Sequence, residues 1–305
     1  MEPFRDTTKP KLATTVTDAH DPATQAAHHM AAQSALHNIL PAFEHAGIRV
    51  VPVKGILTSR LLYPHLEDRP MRDVDLRIRP RDLPKLRRLL TQQGWLLLES
   101  SIFYQSVGFR ACNVSFDVET HVGAPGMCSL SVDTMMARST WQQHPLGFFH
   151  HHPEIHDHAL LLAMNVYKDR VLDTAPWAIQ DLLRITDLPT FCVDTMVQRV
   201  REARVQTAVG VLASWLAKHH DSAKWGELAE RLLPSPRQRY GQQMLHALSH
   251  RQGISENRLR VLLRRSSDER LKRWWAVLLM AGHGIRKHGF GKGTALGAGF
   301  GTKMG

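Results

Sequence analysis

Asp73-Val74-Asp75 places two carboxylates at positions i and i+2 of a segment, Asp73 to Arg79, that alternates polar and apolar residues. Alternation of period two is the pattern of a strand, and residues two apart in a strand share a face. Two ionised carboxylates so close repel each other, and each raises the pKa of its neighbour. A divalent cation relieves that repulsion. Mg²⁺ takes oxygen ligands and commonly uses one or two carboxylates together with substrate phosphates. A second alternating segment, Val114 to Val122, carries Asp117 and Glu119 on one face, and either could complete a two-metal site. Asp-x-Asp alone is a weak signal. The elements around it strengthen it: a short strand Ile48–Val53, the Lys54-Gly55 turn, a short helix Ile56–Tyr63 and a loop come first. An amphipathic helix Asp82–Gln93 and a strand Trp95–Glu99 follow.

The words used in that order carry a resemblance. Val51-Pro-Val-Lys-Gly-Ile-Leu, then Leu62-Tyr-Pro, then Arg69-Pro-Met-Arg-Asp73-Val-Asp75-Leu-Arg-Ile-Arg-Pro-Arg-Asp-Leu, is similar to a bacterial nucleotidyltransferase family often encoded in biosynthetic gene clusters. Glu119-Thr120-His121 resembles the family's later strand, with a carboxylate two residues before a histidine. His158-Ala-Leu-Leu-Leu-Ala-Met and Trp177-Ala-Ile-Gln-Asp181-Leu resemble the helical stretch beyond it. The likeness covers about residues 48–188 and is most specific over 69–76.

The resemblance implies an α+β fold: a small mixed-sheet, polymerase-β-like nucleotidyltransferase domain followed by a helical domain. It implies transfer of a nucleoside monophosphate from an NTP, with ATP the expected donor, to an acceptor hydroxyl or phosphate, releasing pyrophosphate with Mg²⁺ or Mn²⁺. On this reading Asp73 and Asp75 are metal ligands. Glu119 is the third carboxylate and a candidate general base, with Asp117 as the alternative. Gly55 lets backbone N–H groups at a helix start approach the triphosphate, and Lys54 and Arg69 contact phosphate. His121 touches substrate or orients Glu119. Two departures stand out: Lys54-Gly55 replaces the Gly-Ser of the wider superfamily's phosphate turn, and Asn165 stands where members often have His.

Composition sets the frame. At 305 residues the chain is long enough for one large domain or two modest ones. The expected division is a flexible arm over 1–22, a catalytic domain over 23–148, a helical basic domain over 149–285 and a glycine-rich cationic tail over 286–305. Residues 1–190 hold 19 Lys+Arg against 20 Asp+Glu, whereas residues 191–305 hold 20 against 8. The basic last third leaves nucleic acid open as a partner. The acceptor is not named by the sequence: a small molecule, a peptide, a protein side chain and RNA all fit. A second functional class also fits, a catalytically quiet binding or scaffold protein on the same fold. No membrane-length apolar run or signal-like N-terminus is present, and Cys112, Cys128 and Cys192 have no metal-like spacing, so a cytoplasmic location is expected. The run His150-His-His-Pro-Glu-Ile-His156-Asp-His158 is dense in imidazole, but consecutive histidines diverge, and it reads as a polar interdomain loop more readily than as a metal site.

Overall fold

A computed structural model of the chain describes residues 21–101, 105–123, 126–143, 149–169, 176–233 and 268. Nearly all of the expected arm, the expected helical basic domain beyond residue 233 apart from residue 268, and the glycine-rich tail lie outside the described residues.

The chain enters through helix α1, Pro22–His45. Asp21 caps it by accepting from the Ala23 and Thr24 N–H groups, and proline sits in its first turn, where no N–H is needed. The sequence predicts a kink or break at Pro41, yet the helix runs through it. Ala32, Leu36, Ile39 and Phe43 bury one face across that point, so packing outweighs the one hydrogen bond proline forfeits. Strand β1 (Val50–Val53), helix α2 (Gly55–Leu62), strand β2 (Val74–Ile78), helix α3 (Leu83–Gln92) and strands β3 (Leu96–Ser101), β4 (Ser106–Ala111) and β5 (Val114–Glu119) follow. The strands form one mixed sheet in the order β1-β2-β5-β4-β3, with β2 and β5 parallel and the other pairs antiparallel. Strand β4 escapes the sequence reading. It turns into β5 through Cys112 and Asn113, both with positive φ (50° and 61°), the geometry of a tight two-residue hairpin without the usual Asn-Gly signature.

The alternation read from sequence decides what each face of the sheet does. Val74, Leu76, Ile78, Phe116, Val118, Val107 and Phe109 point to one side and pack with α1 and α3; Phe109 stacks on Phe116 at 5.0 Å. Asp75, Arg77, Asp117 and Glu119 therefore share the other face. At the β1 edge of that face, Val51 and Val53 join the core of the C-terminal helices.

Those helices begin with α4 (Val132–Arg138), then a hairpin of β6 (Thr140–Gln143) and β7 (Phe149–His152), then α5 (Ile155–Asp169), α6 (Pro176–Asp187), α7 (Val193–Glu202), α8 (Gln206–His220) and α9 (Ala223–Leu232). The sequence predicts almost no strand after Gly126 and a loop at His150–His152, and the hairpin corrects both. These three histidines lie in β7, with His150 and His151 buried. The single helix read over Thr195–His219 is two, α7 and α8, because the chain reverses at Arg204, where φ is 55°. Among the described residues no helix is long and apolar enough to cross a membrane.

His158, one turn into α5, is fully buried. Burial first, and His152 beside it second, drive its pKa down to about 3. An imidazole held neutral in the native state binds its proton only on unfolding. Stability from this group is thus complete above the unfolded value of 6.5 and is lost as pH falls below it. His158→Leu is expected to flatten the decline in melting temperature between pH 6.5 and 5, by up to ~1.4 kcal/mol per pH unit. An unchanged slope in parallel melts would remove His158 from the account.

Candidate active site

Strand register sets the arrangement. Asp75 on β2 lies directly opposite Asp117 on the parallel neighbour β5, and Arg77 lies opposite Glu119. On the far side of Asp117, β4 presents Gly108, and beyond it β3 presents Glu99; on the near side of Asp75, β1 presents Val53. One transverse row thus reads Val53, Asp75, Asp117, Gly108, Glu99. Asp73 stands two residues before Asp75, at the mouth of β2.

The four carboxylates read from sequence have different surroundings. Glu119 forms an ion pair with Arg77, a guanidinium only 1% exposed. Asp75 accepts from the Lys54 ammonium at 2.6 Å. Asp117 has no ion pair among the described residues. Burial raises its pKa first, and the charges of Glu119 and Asp75 raise it further, to about 6. Burial and then Asp75 push Asp73 upward as well. Negative charge is therefore concentrated at Asp73 and Asp117, while Glu119 already has a permanent buried cation.

Lys54 links β1 to α2 with φ 55° and ψ −135°, a backbone region that glycine enters freely and other residues enter at a cost of about 1–3 kcal/mol. Its ammonium repays part of that by meeting Asp75. Burial is the largest single influence and opposes the charge, but the charges of Asp75 and Glu119 and the Asp75 hydrogen bond together outweigh it and the pKa is raised. Gly55 opens α2, and no side chain caps that helix N-terminus. A Cβ at residue 55 would stand 3.0 Å from Met71 Cγ and 3.2 Å from Arg69 Nη1, so glycine is what lets the 69–71 loop close over the turn.

Arg69, read from sequence as a phosphate contact, lies beside the Gly55 turn and is paired with a buried acid. Its Nε and Nη2 donate to Asp181 on α6, at 3.2 and 2.7 Å to Oδ2, and Nη1 donates to the Pro70 carbonyl. The same Asp181, fully buried, also accepts from Tyr63 Oη at 2.8 Å and Thr58 Oγ1 at 3.3 Å. His29 and Gln25 of α1 pin this loop from the other side, through the Arg69 carbonyl and the Met71 N–H. Arg69 is therefore part of a clamp on the segment that leads into Asp73. His121 pairs with the Thr120 hydroxyl at 2.9 Å, and burial lowers its pKa, which leaves it neutral near pH 7. Sequence reasoning missed Asp181 as a site-building residue, although a lone acid among Ile179, Leu182 and Ile185 on an apolar helix face was a usable signal. It also missed Glu99 and Gly108, for which a glycine inside a strand was the clue.

The donor set suits a hard cation, since every candidate ligand is a carboxylate oxygen. Among the described residues no three or more His, Cys, Asp or Glu side chains are arranged to hold a metal ion by themselves, the His150–His158 run included. Mg²⁺ commonly completes its shell with substrate phosphate oxygens, so a site with fewer than three protein ligands is compatible with such an ion.

The family model described as uncharacterised nucleotidyltransferase matches residues 10–221, which is most of the chain. The chain belongs to this nucleotidyltransferase family. Among solved structures, it is similar to the antibiotic-resistance factor ANT(2'')-Ia, at 14% identity and TM-score 0.34 over 74% of this chain and 100% of that one. It is also similar to the Thermotoga maritima CCA-adding enzyme, solved in complex with tRNA, at 11% identity and TM-score 0.24 over 86% of this chain and 82% of that one. No curated protein matches it. The expected α+β architecture, a small mixed sheet followed by helices, is present in this member of the family.

Proposed function

We propose that this nucleotidyltransferase moves a nucleoside monophosphate from an NTP, ATP being the expected donor, to an acceptor hydroxyl or phosphate with release of pyrophosphate. Asp73, Asp75 and Asp117 would hold Mg²⁺ or Mn²⁺. The observation that carries this reading is the register of β2 and β5, which puts Asp117 beside Asp75 without a counter-ion while Glu119 is tied to Arg77. It favours Asp117 over Glu119 as third carboxylate. Glu119 then acts at one remove, by holding Arg77 as a fixed positive charge below the site.

The chain's own groups divide the work. The α2 N-terminus and the Lys54 ammonium attract the β- and γ-phosphates. Lys54 leaves Asp75 as the triphosphate arrives, exchanging a carboxylate partner for a phosphate one. Asp117 is the candidate to take the proton of the acceptor hydroxyl. A divalent ion, when bound, supplies charge neutralisation at the phosphates and lowers the pKa of the attacking hydroxyl. Three cysteines free of disulfides accord with a reducing, cytoplasmic setting for this chemistry.

A second reading has one observation in its favour: Lys54 already sits where a cation would, as in a binding protein that no longer needs metal. Thermal melting separates the two. The enzyme reading expects each productive NTP to raise the midpoint only with Mg²⁺ or Mn²⁺, by ~2.7 kcal/mol at one hundred times Kd. A shift of equal size in EDTA would favour the metal-free binder.

A further inference from the structure

The Val53-Asp75-Asp117-Gly108-Glu99 row has two ends, and the proposed reaction gives them different tasks. The phosphate grip, Lys54 and the start of α2, follows directly from β1 and so lies at the Val53 end. Displacement at phosphorus is in line: the attacking oxygen arrives opposite the departing pyrophosphate. With pyrophosphate held at the β1 end and the reacting phosphorus beside Asp75 and Asp117, the acceptor must approach over β4 and β3.

That half of the face carries a glycine and a carboxylate without a partner among the described residues. Gly108 leaves the floor bare in the row of Asp117. Glu99 lies across it: a Cβ at residue 108 would stand 2.8 Å from Glu99 Cγ and 3.6 Å from its Oε1. A side chain at 108 would therefore both fill the floor and push Glu99 aside. Residue 98 is skipped in the pairing between Leu97 and Glu99, and this irregularity lets Glu99 fall in register with Gly108. Glu99 is exposed and has no hydrogen bond or ion pair among the described residues. Arg110 comes from the neighbouring row, opposite Ser115, two residues along β4 from Gly108.

We infer, resting on the nucleotidyltransferase reading above, that β4 and β3 form the acceptor subsite and that Glu99, bedded on Gly108, selects an acceptor carrying a protonated amine near its attacking hydroxyl. An ammonium there meets the Glu99 carboxylate, while Asp117 is engaged at the reacting phosphate. A phosphorylated acceptor or an RNA end brings negative charge against Glu99.

The test uses the full chain, α-labelled ATP and Mn²⁺, with three acceptors of one skeleton and different charge: glucosamine, glucose and glucose 6-phosphate, together with a short RNA. Pyrophosphate release and the Mn²⁺-dependent melting shift with ATP are followed in the same samples. Glucosamine is expected to gain label in preference to the other three. Glu99→Gln should raise its KM at least tenfold while leaving kcat within threefold and the ATP shift unchanged. Gly108→Ala should act in the same direction. The inference is overturned if glucosamine gains no more label than glucose, whether both are labelled or neither. Preferential labelling of the phosphate or the RNA, or an unchanged KM in Glu99→Gln, overturns it equally. Loss of the ATP shift and of pyrophosphate release in the unaltered chain would instead bring down the underlying reading, and the inference with it.

Discussion

Asp117→Asn is expected to raise the melting temperature at pH 7.5 and to abolish nucleotidyl transfer, whereas Glu119→Gln is expected to lower the melting temperature. The two residues lie two apart on one strand and face the same way, so their surroundings alone separate them. Asp117 is largely buried, has no ion pair among the described residues and titrates at about 6, above the ordinary 3.8. A carboxylate whose native pKa is raised favours the native state below its unfolded pKa, and that contribution is lost as pH rises through the native value. At pH 7.5 the ionised group costs up to about 3 kcal/mol, which asparagine relieves. The stabilisation should shrink as pH falls below 6 and vanish near pH 4, which melts across that range will show. Activity moves the other way. Loss of the base and of a metal ligand should lower the rate at least a thousandfold, about 4 kcal/mol of activation free energy. Glu119→Gln instead strips the counter-ion from Arg77, 1% exposed. Removing one partner of a buried ion pair typically costs about 3–5 kcal/mol. If both variants shift the melting temperature in the same direction, the division of roles between Asp117 and Glu119 is wrong.

Asp181→Ala is the second large effect. Asp181 gathers Arg69, Tyr63 and Thr58 around one fully buried carboxylate. Tyr63 shows how firmly: burial and then Asp181 push its hydroxyl pKa upward, so it remains a donor. Truncation leaves the Arg69 guanidinium buried and unpaired, again about 3–5 kcal/mol. It also releases the segment 69–72 that delivers Asp73. Denaturant unfolding should show the stability loss. Transfer by the folded fraction at low temperature should show a fall in kcat larger than any rise in the NTP KM, because the loop aims Asp73 and does not hold the triphosphate. Asp181→Asn keeps the acceptor oxygen and should recover part of both. A variant with native stability and native kcat would mean that the clamp does not position Asp73.

The strand pair at the centre of the site was legible because its chemistry and its periodicity coincide. Asp75 and Asp117 alternate with Val74, Leu76, Phe116 and Val118, so burial of one face fixes the direction of the other. Other features depended on contacts across the chain. Strand β4 carries Gly108 and ends in Cys112-Asn113, neither of which signals a strand or a hairpin locally. Arg69 was a candidate phosphate contact on the family resemblance, and its pairing inside the fold was not legible. Its partner is 112 residues away on α6, and no local pattern announces that. Alternation put Asp117 and Glu119 on one face, and only the family resemblance set Glu119 before Asp117. Register, which sets Arg77 against Glu119, makes them different. His150–His152 read as polar loop because three imidazoles carry no apolar alternation, yet pairing with β6 buries two of them.

The central claim is that three aspartates from neighbouring strands share a divalent ion with a triphosphate. Electron paramagnetic resonance of Mn²⁺ with a non-hydrolysable ATP analogue tests it most directly. The account predicts weak Mn²⁺ binding to the protein alone, tight binding when the analogue is present, and loss of that enhancement in Asp75→Asn. Analogue binding of equal strength in EDTA, or an undiminished Mn²⁺ signal in Asp75→Asn, would contradict it.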